Sequence, residues 1–133
     1  MSPFAEFLAA PWRPWPAAAI LFVHGWVLWF VLGQNFTRTV FMSAVARAVV
    51  GAGSLGLLAS GALGRPDPAW TPDAVAWTVA GILAWLLCWS LEIGTLGPLM
   101  RRIQPGWRWR AYDLAVLGAA QGVYLAAGAL TAW

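Results

Sequence analysis

Four long apolar runs constrain this chain more than any other feature. A helix needs about 20 apolar residues to cross a bilayer, and each run is of that order. The connections between the runs are short and polar or contain proline, which does not continue a helix. The runs therefore predict four membrane spans, at residues 17–35, 41–64, 74–97 and 111–132.

The composition agrees with a lipid environment. The chain has 133 residues, of which 61% are hydrophobic and 10% are charged, whereas about 25% of the residues in a soluble domain are charged. Lipid offers no hydrogen-bond partner to open backbone groups, so spanning segments of this kind are helices. We expect one domain over residues 1–133, an all-α integral membrane four-helix bundle in contact with the lipid bilayer.

The arginines indicate the orientation of the bundle. All eight basic residues are arginines, and they lie at the ends of the apolar runs rather than along one stripe, which argues against a nucleic-acid partner. Six fall on the side of the first and third connections and two on the other side. The positive-inside rule then places both termini outside. The composition, rich in Ala, Arg, Gly and Trp, is typical of GC-rich bacterial genes, so we expect a multi-pass protein of the bacterial inner membrane with periplasmic termini.

Aromatic residues mark the predicted interfaces. Tryptophan is enriched where a bilayer meets water, and the short segment 4–12 is expected to lie on the outer surface as an interfacial helix. The outer belt would contain Trp12, Trp15, Trp70 and Trp133, and the inner belt Trp107 and Trp109.

Small residues recur at helical spacing in two spans. Gly56 and Ser60 share one face of the second span, and Gly118 and Gly122 share one face of the fourth. Small faces let helices approach closely in lipid. They predict a packing seam, used either inside the bundle or to dock other membrane subunits or a second copy of the chain.

Three ionisable residues fall inside or beside the spans, where charge is costly and often functional. Arg47, Glu92 and Asp113 all lie toward the inner side, so we predict an ion pair or proton site formed by them. The size and span count are similar to those of small multidrug transporters. In that family the essential glutamate lies in the first span, which contains no acidic residue here.

The only histidine, His24, lies in the first span within the stretch HGWVLWF. A buried histidine needs a partner, and Tyr124 or Gln121 is expected to provide it. Alternatively, a neutral imidazole binds the metal of a tetrapyrrole, and the stretch resembles the single-histidine helices of light-harvesting polypeptides. Tryptophans near mid-membrane would then line a slot for haem, chlorophyll, a carotenoid or a quinone. The predicted cofactor-binding set is His24, Trp26, Trp29, Trp85, Trp89 and Tyr124.

Three functions remain open at this point. The sequence has no catalytic motif and no metal-ligand motif, which favours a non-catalytic accessory or docking subunit of a larger respiratory or photosynthetic membrane complex. The alternatives are a binder of a lipophilic cofactor that uses His24, and a small proton-coupled transporter that uses Glu92.

The even number of spans can be tested directly. Reporter tags fused to the first and last residues should both be accessible from the periplasm, because the chain is expected to cross the membrane four times. Protease protection in spheroplasts and inverted vesicles measures this. Tags on opposite sides would exclude the four-span topology.

Overall fold

The computed structural model describes residues 3–60 and 74–131. Throughout these two stretches the regular structure is helical, without a strand. A short helix α1 is followed by a 3₁₀ turn, and four long helices complete the fold. Their bounds are α1 Pro3–Ala9, the 3₁₀ turn Ala10–Trp12, α2 Pro14–Leu32, α3 Phe36–Ala59, α4 Ala74–Ile103 and α5 Ala111–Thr131.

Three of the helices are long and apolar enough to cross a membrane, namely α2, α3 and the stretch Thr78–Ile103 of α4. Their surface supports this conclusion, since many large apolar side chains point outward, among them Phe30, which is 81% exposed. Polar side chains such as those of Glu92 and Gln121 are instead buried. Apolar groups outside and polar groups inside are the arrangement expected in lipid.

The helix boundaries differ from the predicted spans for identifiable reasons. Pro14 begins α2 because the first helical position has no backbone hydrogen bond to lose. Gly33 ends α2 in the left-handed region at φ 64°, which glycine adopts without strain. Asn35 then caps α3 by accepting a hydrogen bond from the Arg38 backbone at 2.8 Å. The first connection is therefore three residues, shorter than predicted.

Helix α4 continues six residues past the expected end at residue 97. It includes Pro98 and ends near Arg101 and Arg102, whose charges favour a helix C-terminus. A turn of Gln104 to Trp107 follows, closed by a 3.1 Å backbone hydrogen bond, with Gly106 at φ 87°, as a type II turn requires. The predicted ends at residues 64 and 132, and the belt residues Trp70 and Trp133, lie outside the described residues.

The four long helices form a closed ring in which each contacts two neighbours, in the order α2, α3, α4, α5. Two apolar layers fill its interior. The layer near the C-terminal end of α2, which we call the inner layer, contains side chains of all four helices, including Leu28, Met42, Leu96 and Leu117. The outer layer gathers around Leu8 of α1.

Segment 3–12 does not behave as the predicted surface helix. It packs against α3, α4 and α5, and Leu8 is 1% exposed between Val50, Cys88 and Leu125. Trp12, expected in the outer belt, lies instead on Gly51, where an added Cβ would come 2.9 Å from the ring. We call residues 3–12 the N-terminal plug, because they fill the half of the ring near the N-terminal end of α2, which we call its outer half.

The plug should be part of the stable fold. Leu8→Ala should lower the free energy of unfolding in detergent by roughly 1–3 kcal/mol, mainly through the void that it leaves. Thermal or SDS unfolding monitored by circular dichroism measures this. Leu55→Ala on the outer face of α3, where the side chain is 47% exposed, is the matched control and should cost less. Equal losses would mean that the plug is not packed.

Candidate functional site

Between the two apolar layers lies a polar cluster with one side chain from each long helix. Its members are His24 of α2, Ser43 of α3, Glu92 of α4 and Gln121 of α5. All four are at most 3% exposed. Hydrogen bonds between them place them at one level of the ring, and this level is reached because α2 begins at Pro14 and α4 extends to Ile103.

Glu92 links the cluster together. One of its carboxylate oxygens, Oε1, forms a hydrogen bond with His24 Nε2, and the other, Oε2, accepts one from the Gln121 amide. The second ring nitrogen of His24, Nδ1, lies 2.7 Å from the Ser43 hydroxyl. Three hydrogen bonds therefore join the four side chains of the chain Gln121–Glu92–His24–Ser43 to one another, as a buried polar network requires.

The hydrogen-bond pattern accommodates more than one protonation state. The Ser43 hydroxyl can donate to a bare Nδ1 or accept from a protonated one. A proton between His24 Nε2 and Glu92 Oε1 has a basic atom on either side. The pair can thus hold one additional proton without losing a hydrogen bond, which is the chemical property of a proton-binding site.

Arg47 lies one helical turn from Ser43 toward the outer side, as the twelfth of the 24 residues of α3. It is 6% exposed. Its guanidinium lies 4.5 Å from the centre of the Trp12 ring and 5.6 Å from that of Tyr124. Both are cation–π distances. The plug thus contributes an aromatic face to a cation at membrane depth.

The predicted ion pair of Arg47 with Glu92 and Asp113 is not formed. In the described part of the chain, Glu92 is paired with His24, and Asp113 with Arg110 at 3.0 Å. Asp113 also accepts from the Arg110 backbone at the start of α5, so it acts as a helix cap in the first turn. The hydrogen bonds that the Arg110 side chain donates to Asp113 raise the pKa of the exposed Arg110. Because Arg47 lies inside α3, it no longer counts among the arginines of the predicted inner side. Five arginines remain on that side and two on the other.

The expected partners of His24 lie close to it without bonding to it. Gln121 donates to Glu92 instead. The Tyr124 ring meets the imidazole edge-on, with centroids 6.0 Å apart, and the buried Tyr124 hydroxyl has no hydrogen-bond partner. The prediction erred because it placed Glu92 near the inner end of its span, and so never considered it as a partner.

The four mid-membrane tryptophans fall into two groups rather than one slot. Trp26 and Trp29 are 60% and 47% exposed on α2, beside a cavity between α2 and α3 that also contacts Ser43. Trp85 and Trp89 stack on each other with centroids 5.0 Å apart. Trp85 also donates a 2.7 Å hydrogen bond to the Gly118 carbonyl.

The small-residue faces are used differently in the two spans. Gly118 and Gly122 receive the rings of Trp85 and Trp89, so large side chains pack against a small face. An added Cβ at Gly56 would meet nothing within 4 Å, and the Ser60 hydroxyl donates to its own helix at Leu57. The close contacts of α3 are made instead at two other glycines, Gly51 against Trp12 and Gly53 against Leu91.

The geometry leaves His24 without a free ring nitrogen for a tetrapyrrole metal, since Nδ1 and Nε2 both have partners. His24 and Glu92 are both metal-binding residue types. However, no group of three His, Cys, Asp or Glu residues that could hold a metal ion occurs among the described residues.

Ser43 is the site residue that sequence reasoning missed. Its signal was present, because Thr39, Ser43, Arg47 and Ser54 follow one buried face of an otherwise apolar helix. Polar residues at helical spacing in a membrane helix mark its inward face.

Comparison with known proteins returned no match, whether to a family model, a curated protein or a solved structure.

The His24–Glu92 contact should show strong energetic coupling. In a double-mutant cycle with His24→Ala and Glu92→Ala, the two losses of unfolding free energy should fail to add by about 1 kcal/mol or more, because each single change leaves a buried polar group unpaired. SDS unfolding measures the cycle. A parallel cycle on Arg110 and Asp113, where Arg110 is 71% exposed, should give a smaller value. Additive losses at His24 and Glu92 would contradict the pairing.

Proposed function

We propose that the protein is a small proton-coupled transporter in which His24 and Glu92 bind the coupling proton. The observation that carries this proposal is the buried carboxylate of Glu92, shared between an imidazole and an amide at the centre of the helix ring. A membrane structure that needs only packing gains little from an ionisable pair at its centre, because desolvation opposes it. A proton carrier needs such a pair.

The proposal includes the four-span topology with both termini in the periplasm of a bacterial inner membrane. Support comes from α5, a 21-residue helix that closes the ring against α2 and α4. Arginines at the end of α4 and in the connection to α5 keep the charge bias toward the inner side. They are Arg101, Arg102, Arg108 and Arg110.

The surroundings of the pair suit alternating access. The inner apolar layer closes one side and the plug closes the other, which supports a proton site that is separated from the water on both sides. Two cavities approach the cluster. One, between α2 and α3, reaches Ser43. The other, under the plug, reaches Gln121.

A second candidate is the accessory or docking subunit of a larger membrane complex. It is favoured by the face of α3 that carries Gly56 and Ser60, which is exposed. In that case the polar cluster would serve only to fix how the helices pack, and Glu92 would keep one protonation state at all pH values.

The two candidates are separated by titrating Glu92. Infrared difference spectra of the purified protein between acid and alkaline pH should show a carboxyl band that is lost in Glu92→Gln. In proteoliposomes containing a pH-sensitive dye, the same variant should lower proton uptake down an imposed pH gradient at least tenfold. Asp113→Asn, at the other buried carboxylate of the long helices, is the matched control and should retain both signals. Absence of a titrating band and of proton uptake in the unaltered protein would favour the docking subunit.

A further inference from the structure

The buried guanidinium of Arg47 has no carboxylate in direct contact with it. Arginine stays charged even when buried, and in the described part of the structure no carboxylate lies within ion-pair distance of it. Two aromatic faces cover the guanidinium. Such contacts stabilise the cation but bring no negative charge into contact with it.

A small cavity adjoins this cation. It lies between the plug and the polar cluster, and the centre of a water-sized sphere can move through about 10 Å³ of it, so that a single monatomic ion fits. Hydrogen-bonding side chains on its wall are those of Arg47, Gln121 and Tyr124, and the remainder of the wall is largely apolar. The Tyr124 hydroxyl is buried and unpartnered. A hydroxyl donor and a cation at one small cavity are the components of an anion site.

We propose that this cavity binds one small monovalent anion of the size of chloride, held by Arg47 and Tyr124. The proposal rests on the proposed function, since the anion would be the substrate that moves with the proton. The aromatic rings cover the faces of the guanidinium, so its N–H groups, which lie in its plane, remain able to bind the anion. Larger oxyanions such as phosphate exceed the size of the cavity.

Charge balance couples the anion to the proton. With Glu92 ionised and His24 neutral, Arg47 is the counter-charge and the interior is neutral. One added proton on the His24–Glu92 pair leaves a net charge of one positive unit, which one monovalent anion cancels. Binding of either partner therefore favours binding of the other, as linkage requires.

The charged or titratable groups near the cavity come from all four long helices. They are His24 on α2, Arg47 on α3, Cys88 and Glu92 on α4, and Tyr124 on α5. The described plug residues on its wall, Leu8, Pro11 and Trp12, carry no charge.

The first test measures chloride binding to the full chain in detergent, by isothermal titration calorimetry with sodium gluconate as the ionic-strength control. Chloride affinity should increase as the pH falls, by up to tenfold per pH unit, because one proton binds with the anion. Addition of chloride to a weakly buffered sample should take up protons, and gluconate should not. Absence of chloride binding across the pH range would overturn the proposal, while leaving the titration of Glu92 to decide the proposed function separately.

Variants then locate the site. Tyr124→Phe removes only a hydroxyl without a partner, so it should fold normally and bind chloride about tenfold more weakly. Tyr112→Phe, at the other tyrosine, which is 59% exposed, should bind as the unaltered chain does. Arg47→Gln should abolish binding, whereas Arg38→Gln at an exposed position should not. Normal chloride binding in Tyr124→Phe and Arg47→Gln would overturn the assignment to this cavity.

A last variant separates the two proposals. Glu92→Gln leaves Arg47 without its ionised counter-charge at every pH, so chloride should bind with an affinity that no longer depends on pH, and without proton uptake. Loss of the pH dependence with retained binding supports the coupled site. A pH dependence unchanged in Glu92→Gln would contradict the coupling and the role of Glu92 in proton binding, although chloride bound at Arg47 would remain.

Discussion

The carboxylate of Glu92 sets the geometry of the bundle interior. It has two oxygens, and both must be satisfied where no water is present. One is satisfied by His24 of α2, which lies across the ring from α4, and the other by Gln121 of α5, which is a direct neighbour of α4. The rotation of three helices about their axes is therefore fixed by one side chain, and Ser43 fixes the fourth through the second nitrogen of the imidazole. Apolar packing alone tolerates small rotations, whereas a hydrogen-bond chain of this kind does not.

The two apolar layers give this polar chain its chemical character. The inner layer around Met42 and Leu96 excludes water from the inner side. On the outer side the ring would be open if α1 lay on the membrane surface, and Leu8 of the plug closes it. Low polarity on both sides strengthens each hydrogen bond of the cluster and raises the cost of leaving one unmade. A proton on His24 or Glu92 is consequently held by neighbouring side chains rather than by solvent.

The sequence predicted the helical class and the location of the long helices well, because apolar runs and arginine positions depend on local composition. It also suggested that large rings pack on small faces, as Trp85 and Trp89 do on Gly118. The depth of each polar residue along its helix was predicted less well. Placing the first span at residue 17 and ending the third at 97 put His24 and Glu92 at different levels. The helices in fact extend through Pro14 and Pro98, because proline is tolerated in a first turn and in membrane helices. The partners of a polar residue depend on depth, so errors of about one turn in α2 and two turns in α4 replaced Glu92 with Tyr124 as the expected partner. The burial of the plug depends on space left inside the ring, for which no local signal exists.

The charge of Arg47 connects the protonation state of the His24–Glu92 pair with the packing of the plug. The guanidinium is permanently charged, so the electrostatic balance of the interior varies only through His24 and Glu92. On the plug side the guanidinium is covered by Trp12, whose ring lies over the cation and on Gly51. An ionised Glu92 stabilises Arg47 where it is, whereas protonation of the pair removes that attraction and leaves the aromatic contacts alone to hold the cation. The contact between Arg47 and Trp12 is therefore weakest when the interior is most positive.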